Sequence, residues 1–230
     1  MLQKLDGVGF QSTLLLQLEG ITHGFSSRHA GDMRHEEKNR TRFTTMLGLS
    51  QSPTFALQTH SSFVPGDGLV SNTYPVAIYT ADCMPILLAD PEKKVFAAVH
   101  AGWKGTLGGI IGNAVDEMVK LGASPVGIYA ALGPHIGLCC YGVPEDRVGM
   151  FKDRFGRDEK MATRIDGRWH LDIGWANYRQ LLGAGVTADH IDAPPTCTSC
   201  QNDTFFSYRR DSQETYGEMM AVIGQTYGKS

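Results

Sequence analysis

Three side chains of the sequence, His60, Cys83 and His100, are of the types that ligate transition metals. A thiolate and imidazoles together suit zinc, which binds sulfur at about 2.3 Å and nitrogen at about 2.0–2.1 Å. Three protein ligands leave one tetrahedral position for water or substrate, an arrangement typical of catalytic rather than structural zinc. These residue types therefore indicate a three-ligand catalytic zinc site. The alternative is a buried cysteine near a hydrogen-bonded histidine.

A predicted β-hairpin brings two of these side chains together. The segment 76–100 consists of two apolar, β-favouring runs around a turn. If the turn has four loop residues, Pro85 opposes His100, and Cys83 lies on the same face as a diagonal neighbour of His100, roughly 7–8 Å away. A register slip of one residue would put the thiol and the imidazole on opposite faces. His60, which follows another predicted strand, is the best candidate for the third ligand.

Strand and helix patterns alternate around the hairpin. Apolar periodicity and end signals predict helices at 32–47, 107–119, 145–155 and 175–182. Short β-favouring runs predict further strands at 54–58, 127–132, 169–173, 205–208 and 219–223. Because hairpins accompany the alternation, we expect an α/β (α+β) fold with mixed sheets, as a single domain over 1–230.

The bulk composition narrows the class of protein. The 230 residues are 42% hydrophobic and 20% charged, as in ordinary soluble globular proteins, and the net charge is −3. A charge this small gives no indication of a nucleic-acid or membrane-surface partner. Apolar runs stay well short of the roughly 20 residues that cross a bilayer. We therefore expect a soluble cytoplasmic protein.

Cysteine usage agrees with a reducing compartment, because five cysteines in a chain of this length do not indicate a disulfide framework. Cys139 and Cys140 are adjacent and, on a strand, could not both face one site, because neighbours alternate. Cys197 and Cys200 have metal or redox spacing, but a single such pair favours two reduced thiols.

Five motifs, in order along the chain, resemble those of the laccase-domain family, whose members are also called multicopper polyphenol oxidases or peptidoglycan editing factors. The resemblance spans about 23–223. The motifs are Gln-Thr-His at 58–60, Thr-Ala-Asp-Cys at 80–83, Val-His-Ala-Gly-Trp at 99–103, Gly-Pro-His-Ile at 133–136 and Phe-Phe-Ser-Tyr-Arg-Arg-Asp at 205–211.

The resemblance implies a mononuclear zinc held by His60, Cys83 and His100, with copper as the metal of older family naming. It implies purine nucleoside phosphorolysis, with adenosine, inosine or methylthioadenosine and phosphate as substrates, and adenosine deamination as an accompanying activity. A hydrolase that edits peptidoglycan precursors is the alternative, and a copper-dependent polyphenol oxidase ranks below it. The implied fold is a layered α/β/β/α arrangement similar to that of deamidating toxins with a Cys-His site. The oligomeric state, monomer or dimer, stays open.

Further site residues follow from these motifs. Asp82 is a candidate proton shuttle or orienting group, although strand alternation points it away from Cys83 and favours a structural hydrogen bond. Gln58 is a candidate contact for a base edge, with a backbone hydrogen bond as the alternative. Four basic side chains are candidate anion binders, with surface solvation as the alternative: Arg28, Lys104, Arg209 and Arg210. Phosphorolysis needs such a cationic cradle.

Overall fold

The computed structural model describes residues 1–212 and 214–226, which form an α/β structure with mixed sheets. The strands are β1 (Leu2–Leu5), β2 (Gly9–Ser12), β3 (Ile21–Ser26), β4 (Thr54–Phe55), β5 (Gly68–Ser71), β6 (Val76–Thr80), β7 (Met84–Asp90), β8 (Val95–Ala101), β9 (Tyr129–Leu132), β10 (Ala162–Ile165), β11 (Arg168–Leu171), β12 (Ile191–Asp192) and β13 (Met219–Gln225). The helices are α1 (Glu37–Met46), α2 (Trp103–Leu107), α3 (Ile110–Lys120), α4 (Glu145–Phe155) and α5 (Ile173–Gly183).

Two sheets carry most of the strands. The first has the order β1-β2-β3-β13-β6-β4 and the second the order β12-β9-β7-β8-β5, while β10 and β11 form a separate hairpin. Both sheets are mixed, because β4 pairs in parallel with β6 and β12 with β9, whereas the other pairs are antiparallel. The predicted fold class is confirmed.

The two sheets pack face to face, and helices cover their outer sides. The core between the sheets contains Phe25 and Ile78 from the first sheet and Leu87 and Phe96 from the second. Alternate residues of β7 and β8 instead face α3 and α5, and α1 covers the outer face of the first sheet. This is the α/β/β/α layering that the family resemblance implied. Burying each of these large side chains stabilises the fold by roughly 1.5–3 kcal/mol.

The predicted hairpin has the predicted register. Pro85 pairs with His100, and the ladder runs from the pair of Met84 and Ala101 to the pair of Asp90 and Val95. Both strands are buried along their whole length, which explains the nearly continuous apolar sequence.

Helices are observed at all four predicted positions, with α1 inside the range 32–47 and α5 spanning 175–182. The helix predicted at 145–155 is α4, but the stretch predicted at 107–119 is divided between α2 and α3. Gly109, with φ of 82°, separates those two helices in a left-handed conformation that glycine adopts readily. In the described part of the chain, none of the helices combines the length and apolar character needed to span a membrane.

The strand predicted at 205–208 is wrong. Its residues form turns and irregular backbone, although Phe205 is fully buried. The backbone N–H of Ser207 donates to a carboxylate of Asp211 at 3.0 Å, and that of Arg209 donates to Asp82 at 2.8 Å. Side-chain acceptors therefore take the place of a neighbouring strand.

Candidate functional site

The structure brings His60, Cys83 and His100 together. Their ligand atoms all lie within 4.8 Å of one another. Cys83 immediately precedes β7, His100 lies near the end of β8, and His60 comes from the loop after β4. The two imidazole rings are nearly perpendicular, at 86°, with centroids 5.0 Å apart. His100 is buried, Cys83 is half-buried and His60 is exposed, so the group is anchored in the core and open on one side.

Asp67 holds two of these residues in place. Its carboxylate lies 3.0 Å from Nδ1 of His100, which leaves Nε2 to face the thiol. The same carboxylate accepts the backbone N–H of His60 at 2.9 Å and that of Ser61 at 2.6 Å. Carboxylate-to-histidine hydrogen bonds of this kind orient metal-binding imidazoles. Sequence reasoning missed Asp67, and the only signal for it was an acid between two glycines shortly after His60.

Contacts among Asp67, His100 and Cys83 shift the pKa values of all three. Burial alone would raise the pKa of Asp67, but hydrogen bonds from His100, Ser61 and His60 hold it well below its usual range. Burial would lower the pKa of His100, but Asp67 and Cys83 raise it to about 9. Burial would raise the pKa of the Cys83 thiol, but His100 and His60 lower it to about 7. The thiol is therefore poised to become a thiolate, the form that binds metal.

A close backbone approach at Gly102 shapes the site. A Cβ atom on this residue would lie 3.1 Å from Sγ of Cys83, 3.5 Å from Cδ2 of His60 and 3.8 Å from Cε1 of His100. Any side chain at this position would therefore press on the Cys83 thiol and contact both imidazoles.

Positive φ angles mark the same region. Gln58, His60 and Asp82 have φ of 57°, 57° and 83°, which is uncommon for residues other than glycine. The segment that carries His60 is therefore not the extended strand end that its sequence predicted, because β4 stops at Phe55. Backbone strain of this kind gathers at functional sites.

A cavity of about 480 Å³ lies in front of the three residues. Two of the predicted substrate-binding residues, Gln58 and Arg209, line it, as does Asp82. Sequence reasoning missed two further cations that line it, Arg34 and Arg147. Aromatic side chains form much of the remaining wall: Tyr79, Trp103, Tyr141, Tyr208 and Tyr216.

Asp82 and Gln58 have partners of their own in this wall. The carboxylate of Asp82 accepts hydrogen bonds from Oγ1 of Thr198 at 2.6 Å, from Oγ of Ser207 at 3.0 Å and from the N–H of Arg209. Gln58 bonds the backbone of Tyr79 with both ends of its amide, at 2.6 and 2.8 Å. Both side chains therefore hold the wall of the cavity together.

The four predicted anion binders differ in whether they line the cavity. Arg209 faces the cavity, whereas Arg28, Lys104 and Arg210 are not part of its lining among the described residues. Arg28 binds the carbonyl of Asn202 and pairs with a carboxylate. Arg210 donates to the backbone carbonyls of its own neighbourhood, and Lys104 lies on α2 beside the indole of Trp103.

Comparison with known proteins places the chain in a family. The family model described as "Multi-copper polyphenol oxidoreductase laccase" matches residues 23–226. A "Purine nucleoside phosphorylase" of Deinococcus radiodurans is 43% identical over 89% of each chain. "Adenosine deaminase RL5", from an unknown prokaryotic organism, is 38% identical over 59% of this chain and 52% of that protein.

Solved structures share the fold. YlmD from Geobacillus stearothermophilus superposes with a TM-score of 0.85 at 28% identity, covering 98% of this chain and 99% of that one. A Bacillus licheniformis protein, YfiH, described as hypothetical, gives 0.86 at 26% identity, with the same coverage. The family match over most of the chain and the close relative lead to one conclusion: the chain belongs to the multi-copper polyphenol oxidoreductase laccase family.

Proposed function

We propose that this chain is a zinc-dependent purine nucleoside phosphorylase that acts on adenosine, inosine and methylthioadenosine, with adenosine deamination as an accompanying activity. The relative from Deinococcus radiodurans and YlmD from Geobacillus stearothermophilus both carry the name purine nucleoside phosphorylase. One structural observation carries the proposal: a three-ligand His/Cys group opens onto a cavity lined by cations and aromatic rings.

His60, Cys83 and His100 are the residues that would hold the zinc. Their donor set and mutual separations would suit a tetrahedral zinc ion, and all three residues line the cavity. When bound, zinc supplies Lewis-acid stabilisation of negative charge on a substrate oxygen. Asp67 keeps the imidazole of His100 oriented toward the donor atoms of His60 and Cys83.

Arg147 and Arg209, which both contact Tyr141, form the proposed phosphate cradle. Arg147 stacks 4.2 Å from the Trp103 ring centroid and donates to the hydroxyl of Tyr141 at 3.4 Å. Its buried Nε has no hydrogen-bond partner among the described residues. Arg209 lies 5.0 Å from the Tyr141 ring centroid. A phosphate dianion between the two guanidiniums would accept charge-assisted hydrogen bonds from both.

A polar group in the cavity wall suits the ribose and the base. Glu218 accepts from Arg34 at 2.8 Å and from the hydroxyl of Tyr216 at 2.9 Å. Its carboxylate can also accept hydrogen bonds from a ribose hydroxyl or a base amine. In phosphorolysis, phosphate attacks the anomeric carbon and the purine leaves with the bonding electrons. Asp82 is assigned a positioning role, because it fixes the backbone of Arg209 beside the cradle.

The test is incubation of the purified protein with inosine or adenosine, with and without phosphate, followed by detection of ribose 1-phosphate and free base. Arg147→Gln is expected to raise the KM for phosphate about 10- to 100-fold, because hydrogen bonds to charged groups contribute about 1.5–3 kcal/mol. Arg179→Gln is the matched control, since Arg179 also stacks on an indole but lies outside this cavity. Equal phosphate KM values in the two variants would contradict the cradle, and absence of both products with the wild type would refute phosphorolysis.

Adenosine deamination is the second activity, favoured by the relative named Adenosine deaminase RL5. Inosine and ammonia should form from adenosine without phosphate, and both should disappear in Cys83→Ala. Editing of peptidoglycan precursors would instead be indicated by wrongly built precursors that accumulate in a deletion strain. Phosphate-independent oxidation of polyphenols by the copper-loaded protein would favour the oxidase assignment.

A further inference from the structure

Four cysteines outside the cavity of the active site converge on one point. The Sγ atoms of Cys139, Cys140, Cys197 and Cys200 all lie within 4.8 Å of one another. Sγ of Cys200 is 3.4 Å from Sγ of both Cys139 and Cys140. The expectation that adjacent cysteines cannot face one site is wrong here, because Cys139 and Cys140 lie in a turn, where side chains do not alternate.

Two turns joined by backbone hydrogen bonds bring the thiols together. His135 and Cys197 form a parallel bridge, and the N–H of Thr198 donates to the carbonyl of His135 at 2.9 Å. The N–H of Gly137 donates to Sγ of Cys197 at 3.3 Å, the kind of bond that supports a ligating thiolate. These contacts fix the two turns beside each other.

The separations suit a tetrahedral ion. Four sulfurs at about 2.3 Å from zinc are roughly 3.8 Å apart, which lies between the shortest contacts of 3.4 Å and the outer limit of 4.8 Å. A disulfide would bring two sulfurs to about 2.05 Å, whereas Sγ of Cys200 stays 3.4 Å from both of its nearest partners and all four thiols are free. The Cys-x-x-Cys spacing of Cys197 and Cys200 is also that of structural zinc turns.

From this geometry we propose that the chain binds a second, structural zinc ion through Cys139, Cys140, Cys197 and Cys200. All four tetrahedral positions are filled by protein ligands, so this ion takes no part in turnover. The ion holds the wall of the active-site cavity in place, because Thr198 lies between two of the ligands and its hydroxyl donates to the carboxylate of Asp82 at 2.6 Å. Arg210 donates to the carbonyls of Thr198 and Ser199 at 2.8 and 3.1 Å and holds the same turn.

The test is zinc content per chain, measured by elemental analysis after gel filtration. The wild type should carry about two zinc ions, and Cys83→Ala about one. The double variant Cys197→Ser/Cys200→Ser should also carry about one, with its melting temperature lowered. Ser199→Ala, a control in the same turn, should retain about two.

Two results would overturn the proposal. One is a zinc content of about one ion per chain in the wild type, together with the same content in the double cysteine variant. The other is a disulfide, seen as fewer than five titratable thiols in denaturant without reductant. If the double variant does not fold, X-ray absorption spectroscopy of zinc in Cys83→Ala identifies the atoms that bind the remaining ion. Four sulfur neighbours at about 2.3 Å support the site, and nitrogen or oxygen neighbours at about 2.0–2.1 Å overturn it.

Discussion

The substitution Gly102→Ala adds one methyl group at the centre of the proposed zinc site. The new Cβ would lie 3.1 Å from Sγ of Cys83, closer than ordinary van der Waals contact, and 3.5 Å from Cδ2 of His60. The thiol must therefore move by a few tenths of an ångström. Metal–ligand distances tolerate only about 0.2 Å. Because substitutions of residues around metal ligands typically cost about 10- to 100-fold in affinity, we expect a loss of zinc affinity in that range, about 1.4–2.8 kcal/mol.

The folded state itself should be nearly unaffected by Gly102→Ala. The backbone angles, φ −73° and ψ 171°, are accessible to alanine, so reduced freedom of the unfolded chain stabilises the protein by about 0.4–1 kcal/mol. Gly102 is also the N-cap of α2, where alanine is less favourable than glycine by a similar amount. The two effects offset each other, and the melting temperature of the metal-free protein should change by only a few degrees.

Competition with a zinc chelator measures the affinity, and thermal unfolding of metal-free protein measures the stability. Gly112→Ala is the matched control, because a Cβ there meets no atom within 4 Å and the position lies within α3. It should bind zinc like the wild type. Unchanged zinc affinity in Gly102→Ala would refute the geometry of the site. So would a variant that loses stability but keeps the zinc affinity of the wild type.

The remaining predictions concern other residues. Asp67→Asn should lower zinc affinity at the His100 site about 10- to 100-fold, because it weakens the hydrogen bond that orients the imidazole; unchanged metal competition would contradict this. Arg209→Met should raise the KM for phosphate more than the KM for nucleoside, and steady-state kinetics with either substrate varied would show the reverse if Arg209 contacts the base. Burial lowers the pKa of His23 to about 4 from 6.5, despite the opposing charge of Asp192. Between pH 6.5 and pH 4, the His23 imidazole therefore takes up a proton only in the unfolded state. The free energy of unfolding should fall by about 3 kcal/mol over this range. Denaturant unfolding of His23→Gln should show a smaller fall, and an identical pH dependence would exclude His23 as its source.

Local sequence patterns were enough to predict the hairpin. The turn after Asp90 and two buried runs determine one register, because a slip would move every apolar side chain to the other face. That register placed Cys83 beside His100, as the structure shows. The approach of His60 was less predictable, since its left-handed backbone depends on a hydrogen bond to the side chain of Asp67, which no local pattern indicates.

Contacts between distant segments account for what the sequence did not reveal. Strands β1 to β3 gave no clear local signal, because their stability comes from pairing with one another and with β13. The segment 205–208 has strand-forming residues, but the N–H of Ser207 bonds a carboxylate oxygen of Asp211 and the N–H of the following Arg209 bonds Asp82. Arg147 faces the cavity only because α4 packs beside it, which residue spacing does not disclose.

The measurement that tests the central claim most directly is phosphate-dependent formation of ribose 1-phosphate from inosine by the zinc-loaded wild type, beside Cys83→Ala. We predict turnover that requires phosphate in the wild type and falls to the background rate in the variant, which also loses zinc from the His60, Cys83 and His100 group. Undiminished turnover in Cys83→Ala, or no ribose 1-phosphate from the zinc-loaded wild type at saturating phosphate, would contradict the claim.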